Sequence, residues 1–344
     1  MTGNLSFTRL VAVAALLLAS AVGTNAVRAE EPIVVDTEFV EQAIDRGALV
    51  WDVRSQNVYL RGHIPGAVNI GSVGDVLRDS RTEDYIAIED IERILGEAGI
   101  DGKREIIAYG SKARPGAYFA WVTLSYLGVD NVRVYHGGID DWKAAGKPLA
   151  SDLVVPTPVT FTARPDPDQL ITTAEVISKL GDPSVQIVDA RTGNEYLGED
   201  IRALRGGHIP GAVNIPYQSN WIDPDTPRKL ARRKVSNKDG MNLKPREALN
   251  AMYAQLDKDK ETIVYCQSGS RASESVVILR ELGFTKVRVY DASWLGYGNT
   301  FEAPAENVSY FSVGRVNRTM RSLQMQIDIL QDEIETLKAQ QKKP

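Results

Sequence analysis

The chain holds a single cysteine, Cys266, in the run YCQSGSRASESVV. An apolar stretch, residues 262–265, reads as a buried strand before it, and a helix begins near Arg271 after it. A strand-to-helix junction gathers unpaired backbone N–H groups at the positive end of a helix dipole. Gly269, with the small residues Ser268 and Ser270, lets the backbone curl into an anion-cradling nest, and Arg271 adds a fixed positive charge. All three effects favour thiolate over thiol, so the spacing predicts a nucleophilic sulfur rather than an inert buried one. The same cradle suits a persulfide, whose terminal sulfur is an anion in need of the same donors. Cysteine phosphatases set five residues between Cys and Arg, whereas four stand between Cys266 and Arg271. A loop that short is too tight for a phosphate and fits one sulfur atom.

The elements around this loop occur twice. LVWDVRSQNVYLRGHIPGAVNI (49–70) is mirrored by QIVDARTGNEYLGEDIRALRGGHIPGAVNI (186–215), with GHIPGAVNI identical in both, and 105–135 is mirrored by 261–290. In each copy, short apolar runs alternate with amphipathic stretches. Strands are expected at 49–53, 106–109 and 132–135, then at 186–189, 262–265 and 287–290. Helices are expected at 88–98 and 116–127, then near 244–256 and 271–282. This alternation implies an α/β fold with two domains, each a mainly parallel central sheet flanked by helices. The domains are expected at 33–150 and 170–302, joined by a Pro-rich linker at 151–169. Gly110 stands in the first copy where Cys266 stands in the second, so the first copy is expected to be inert. Lys112 and Arg114 beside it read either as an anion site or as a solvated loop.

HIPGA twice, D-x-R at two strand ends, the Cys loop and YHGGIDDWKAAGKPL (135–149) resemble the rhodanese family, closely its two-domain thiosulfate sulfurtransferases, over about residues 33–300. The resemblance implies a double displacement in which Cys266 takes a sulfane sulfur from a donor such as thiosulfate. It then passes that sulfur to cyanide or a thiol. It also implies donor binding by Arg191, although the residues equally allow an ion pair between Arg191 and Asp189. The substrate-binding set is therefore Gln267, Ser268, Gly269, Ser270, Arg271 and Arg191, with Cys266 catalytic and no cofactor or metal. The loop CQSGSR looks more like that of single-domain rhodaneses, which leaves the donor open, 3-mercaptopyruvate included. Arg54, His63, His208 and Trp294 read as structural, the histidines because both copies keep them while only one keeps a nucleophile. The basic stretch 228–238 reads as a solvated loop.

Composition narrows the rest. The 344 residues are 43% hydrophobic and 25% charged, with 40 basic against 45 acidic residues and a net charge of −5, which disfavours a nucleic-acid partner. One cysteine and three histidines exclude an intramolecular disulfide and argue against a structural zinc site. Residues 1–29 carry Arg9, an apolar run at 10–23 and small residues at Ala26 and Ala29, the pattern of a signal peptide. The run is too short to span a bilayer, so an exported, periplasmic or secreted protein is expected, with an uncleaved anchor as the alternative. From residue 312 the tail (312–342) places Met320, Ile327 and Ile334 at heptad position a and Val316, Leu323, Leu330 and Leu337 at d. Residues 316–341 thus suit a coiled coil, with a second copy or another protein, or a helix folded on its own domain. With such a helix, a non-catalytic scaffold or sulfur-delivery adaptor is the competing function.

Overall fold

The computed structural model describes residues 32–341, so the leader-like segment 1–29 lies outside the described residues. In the first copy, β1 (Val34–Val35), β2 (Leu49–Asp52), β3 (Ile106–Tyr109) and β4 (Val132–Tyr135) form a parallel sheet in the order β1-β4-β3-β2. Residues of β2 and β3 are buried without exception, as expected when helices cover both faces of a parallel sheet. The second copy repeats this with β5 (Leu170–Ile171), β6 (Val185–Asp189), β8 (Val213–Asn214), β9 (Glu261–Tyr265) and β10 (Val287–Tyr290), ordered β5-β10-β9-β6-β8 and parallel throughout. The register repeats as well. Asp52 lies opposite Tyr109, Asp189 lies opposite Tyr265, and each tyrosine donates its hydroxyl to that aspartate at 2.7 and 2.6 Å.

The second copy extends beyond residue 302. Strand β11 (Glu306–Tyr310) pairs antiparallel with β7 (Arg205–His208), and Glu306 meets His208 at 2.9 Å. Both HIPGA histidines are tied to carbonyls, His63 to Tyr59 and His208 to Tyr196, and each stacks on that tyrosine. The expected linker lies along the first copy, with N–H groups of Val159, Arg164 and Asp166 bonded to the carbonyls of Gly96, Leu127 and Tyr126.

The copies share one core. The helices Gly116–Tyr126 and Ser270–Glu281 pack against each other, and a single apolar cluster holds Trp51, Phe119 and Trp121 together with Val264, Cys266 and Val277. All residues from 117 to 124 and from 272 to 279 are buried. Polar ties cross the join. His136 bonds the Met241 carbonyl through Nε2 at 2.8 Å, Lys238 pairs with Asp140 at 2.8 Å, and Glu281 takes the N–H groups of Ile33 and Val34. The helix Val313–Gln341 lies apart, exposed from 313 to 338, and does not fold back on its domain.

Candidate active site

Cys266 follows the last residue of β9 and is 1% exposed. The chain then turns through Gly269, whose φ is +81°, into the helix Ser270–Glu281. A Cβ at Gly269 would lie 2.5 Å from Asp291 Oδ1, so glycine is required both by its φ and by this approach. Ser293 pins the turn. Its Oγ accepts the N–H groups of Cys266 and Gly269, each at 3.0 Å, and donates to the Tyr290 carbonyl at 2.7 Å. The Trp294 and Leu295 N–H groups bond the Cys266 and Gln267 carbonyls at 3.0 and 2.9 Å. The N–H groups of Gln267, Ser268, Arg271 and Ala272 bond no acceptor among the described residues. They are the donors left for an anion at the loop.

Arg271 makes two bonds to Glu195, at 2.8 and 2.7 Å. Burial opposes the Arg271 charge, but Glu195 and the nearby Cys266 sulfur raise its pKa above the ordinary value. Burial also raises Glu195, yet Arg271 and the N–H and hydroxyl of Thr192 hold it down at about 2. The cation beside the sulfur is thus fixed in place and partly neutralised.

The Gln267 amide turns away to the Arg202 carbonyl, Ser270 N–H bonds the Ser268 carbonyl, and that carbonyl also accepts Arg78 Nη1 at 2.8 Å. Arg191 makes the ion pair with Asp189 that the sequence also allowed. It is 1% exposed, bonds both oxygens of Asp189 and the Gly207 carbonyl, and stacks under Trp294 at 4.6 Å. These bonds take its Nε and Nη2, as the ion-pair alternative expects. Arg54 repeats the arrangement on Asp52 and the Gly62 carbonyl.

Three groups at the site were not singled out from the sequence. Ser293 lies 27 residues from Cys266 and keeps a left-handed φ of 51°, where the first copy has Gly138 at φ 53°. Alignment of the two copies would have exposed a serine where the first copy has glycine. Asp291, at the position of His136 in the first copy, is buried against Arg78 at 3.2 Å; burial lifts its pKa to about 6 against the pull of Arg78. Glu274 is fully buried in the helix, accepts the Trp221 indole N–H at 2.8 Å, and is pushed by burial to about 8.

Of the two first-copy cations, Lys112 is neutralised by Asp141 at 2.7 Å. Arg114 is exposed, and its guanidinium has no partner among the described residues. Its neighbour Ala113 is buried against Trp221 and Met241 of the second copy. Tyr217 packs both on that cluster and on the one holding Cys266. Burial raises the Tyr217 phenol to about 12, with Arg271 and Arg114 pulling against it. The first copy therefore presents a cation without a partner among the described residues beside the wall of the cysteine site.

The Rhodanese-like domain family model matches residues 36–145 and 172–300, both copies of the repeat. The chain belongs to the rhodanese-like family. Among curated relatives, the rhodanese-like chain is 34% identical over 263 residues to a thiosulfate sulfurtransferase of Corynebacterium glutamicum, covering 72% of this chain and 81% of the relative. It is 30% identical over 292 residues to a putative thiosulfate sulfurtransferase of Saccharopolyspora erythraea, covering 80% and 97%. It is also 32% identical over 294 residues to the sulfur carrier protein TtuD of Thermus thermophilus, covering 80% and 97%. Among solved structures, the anaerobic ergothioneine biosynthesis enzyme from Chlorobium limicola shares the fold, with TM-score 0.69 and 24% identity over 80% of this chain and 70% of that one.

Proposed function

We propose that this rhodanese-like chain is a sulfurtransferase that carries a sulfane sulfur as a persulfide on Cys266. The observation that carries the reading is a lone cysteine at a pinned strand-to-helix turn whose N–H groups at Gln267, Ser268, Arg271 and Ala272 have no acceptor among the described residues. Relatives named thiosulfate sulfurtransferase support thiosulfate as donor. The Cys266 thiolate attacks the outer sulfur of thiosulfate, and the bond to the sulfonate sulfur breaks. Sulfite leaves with the electron pair, and the free N–H groups receive the charge of the new terminal sulfur. A nucleophilic acceptor, cyanide or a thiol, then takes that sulfur and the thiolate is restored. No external oxidant is consumed. The leader-like residues 1–29 make export, periplasmic or secreted, part of the same proposal.

Incubation of the reduced protein with thiosulfate should add the mass of one sulfur atom to Cys266, and cyanide should remove it. Failure to load across thiosulfate, 3-mercaptopyruvate and polysulfide would overturn the proposal. The exposed terminal helix favours a second reading, a scaffold or sulfur-delivery adaptor that works through that helix. A cellular phenotype that survives Cys266→Ser but not deletion of 312–344 would select it.

A further inference from the structure

The helix Val313–Gln341 runs for 29 residues, about 43 Å at 1.5 Å per residue, with every residue from 313 to 338 exposed. The body supplies no packing for it, and a helix held only by its own hydrogen bonds is marginal in water. Its heptad starts earlier than residue 316, because Val313 falls at a. Four residues (Val313, Met320, Ile327, Ile334) then occupy a and four (Val316, Leu323, Leu330, Leu337) occupy d. Exposure along this seam runs from 37% at Val316 to 62% at Met320, an apolar stripe left to water.

The composition of the seam and its edges selects the occupant. Ile327 and Ile334 at a, with Leu323, Leu330 and Leu337 at d, favour two parallel strands. Most charges (Arg315, Arg318, Arg321, Asp328, Asp332, Glu335) lie at b, c and f, away from the seam. The charged residues beside it are Glu333 at g and Lys338 at e. In a parallel pair, position g of one helix faces position e five residues later on the other, so Glu333 meets Lys338 twice by symmetry. In an antiparallel pair g faces g, which would set Glu333 against the uncharged Thr319.

We propose that residues 313–341 pair with the same residues of a second copy as a parallel two-stranded coiled coil, making a dimer with both catalytic bodies at one end. This stands whether or not Cys266 carries sulfur. Light scattering on the full chain at micromolar concentration should give twice the chain mass, and Ile327→Asp/Ile334→Asp should give a monomer whose body melts unchanged. Glu333→Lys should weaken the dimer, with Glu333→Lys/Lys338→Glu restoring it. In a Cys266→Ser background, Leu337→Cys should cross-link to itself in an oxidising glutathione buffer, and Met325→Cys on the outer face should not. A monomeric wild type, a trimer or tetramer, or a Leu337→Cys variant that stays uncross-linked within an intact dimer would overturn the proposal.

Discussion

Ser293 holds a left-handed backbone angle, which ordinarily favours glycine, because its hydroxyl is needed across the loop. Without that oxygen, the Cys266 and Gly269 N–H groups are buried without an acceptor. Ser293→Ala should therefore cost about 1–3 kcal/mol in denaturant melts and slow sulfur loading more than tenfold. Ser293→Gly also loses the pin but relieves the angle, so it should be the more stable of the two and load as slowly. Equal loading by both variants and wild type would show that the hydroxyl does not set the loop. Arg114, a first-copy cation without a partner among the described residues, stands next to a residue seated on the wall of the site. Arg114→Ala should raise KM severalfold for an anionic donor such as thiosulfate and leave kcat near wild type. Added salt should raise the wild-type KM towards that of the variant. An unchanged KM at low salt would exclude Arg114 from donor recognition.

Within the helix Ser270–Glu281, Ser273, Glu274 and Ser275 are buried along with their apolar neighbours, since one side meets the sheet and the other meets the helix Gly116–Tyr126. Glu274 is raised by burial to about 8 from an ordinary value near 4.5. Between those values the unfolded chain has lost this proton while the folded chain keeps it. The stability it contributes is thus full below pH 4.5 and falls as pH rises through 8, by about 1.4 kcal/mol per unit at most. Glu274→Gln should flatten the fall measured by denaturant melts at pH 5, 7 and 9, and an unchanged slope would place the titrating group elsewhere. This helix also marks how far the sequence could be read. Its start lies one residue before Arg271, and the strands 106–109, 132–135 and 287–290 were legible as short buried runs, apolar but for Arg133 and Arg288. The cysteine loop was legible because its composition is local. Strand β11 was not, for its register depends on β7 about a hundred residues earlier. The burial of Glu274 was not legible either, because it depends on the first-copy helix Gly116–Tyr126 packing against its own helix.

Across the whole molecule, the first copy has no nucleophile at Gly110, yet its Arg78 bonds the Ser268 carbonyl within the cysteine loop and pairs with Asp291 beneath it. Arg78→Ala would leave Asp291 buried without its cation. The expected loss, about 3–5 kcal/mol, should be larger at pH 8, where the carboxyl must ionise, than at pH 5, where it stays protonated. Arg78→Ala/Asp291→Asn should recover much of it in thermal melts, and equal losses at both pH values would refute the pairing argument. Gene duplication usually frees a silent copy to drift. Here that freedom is withheld, because the copy without a sulfur atom supplies part of the support for the other's cysteine loop. A change at either end of the Arg78–Asp291 tie leaves the other end unpaired, so the cost of drift in one half is paid in the other.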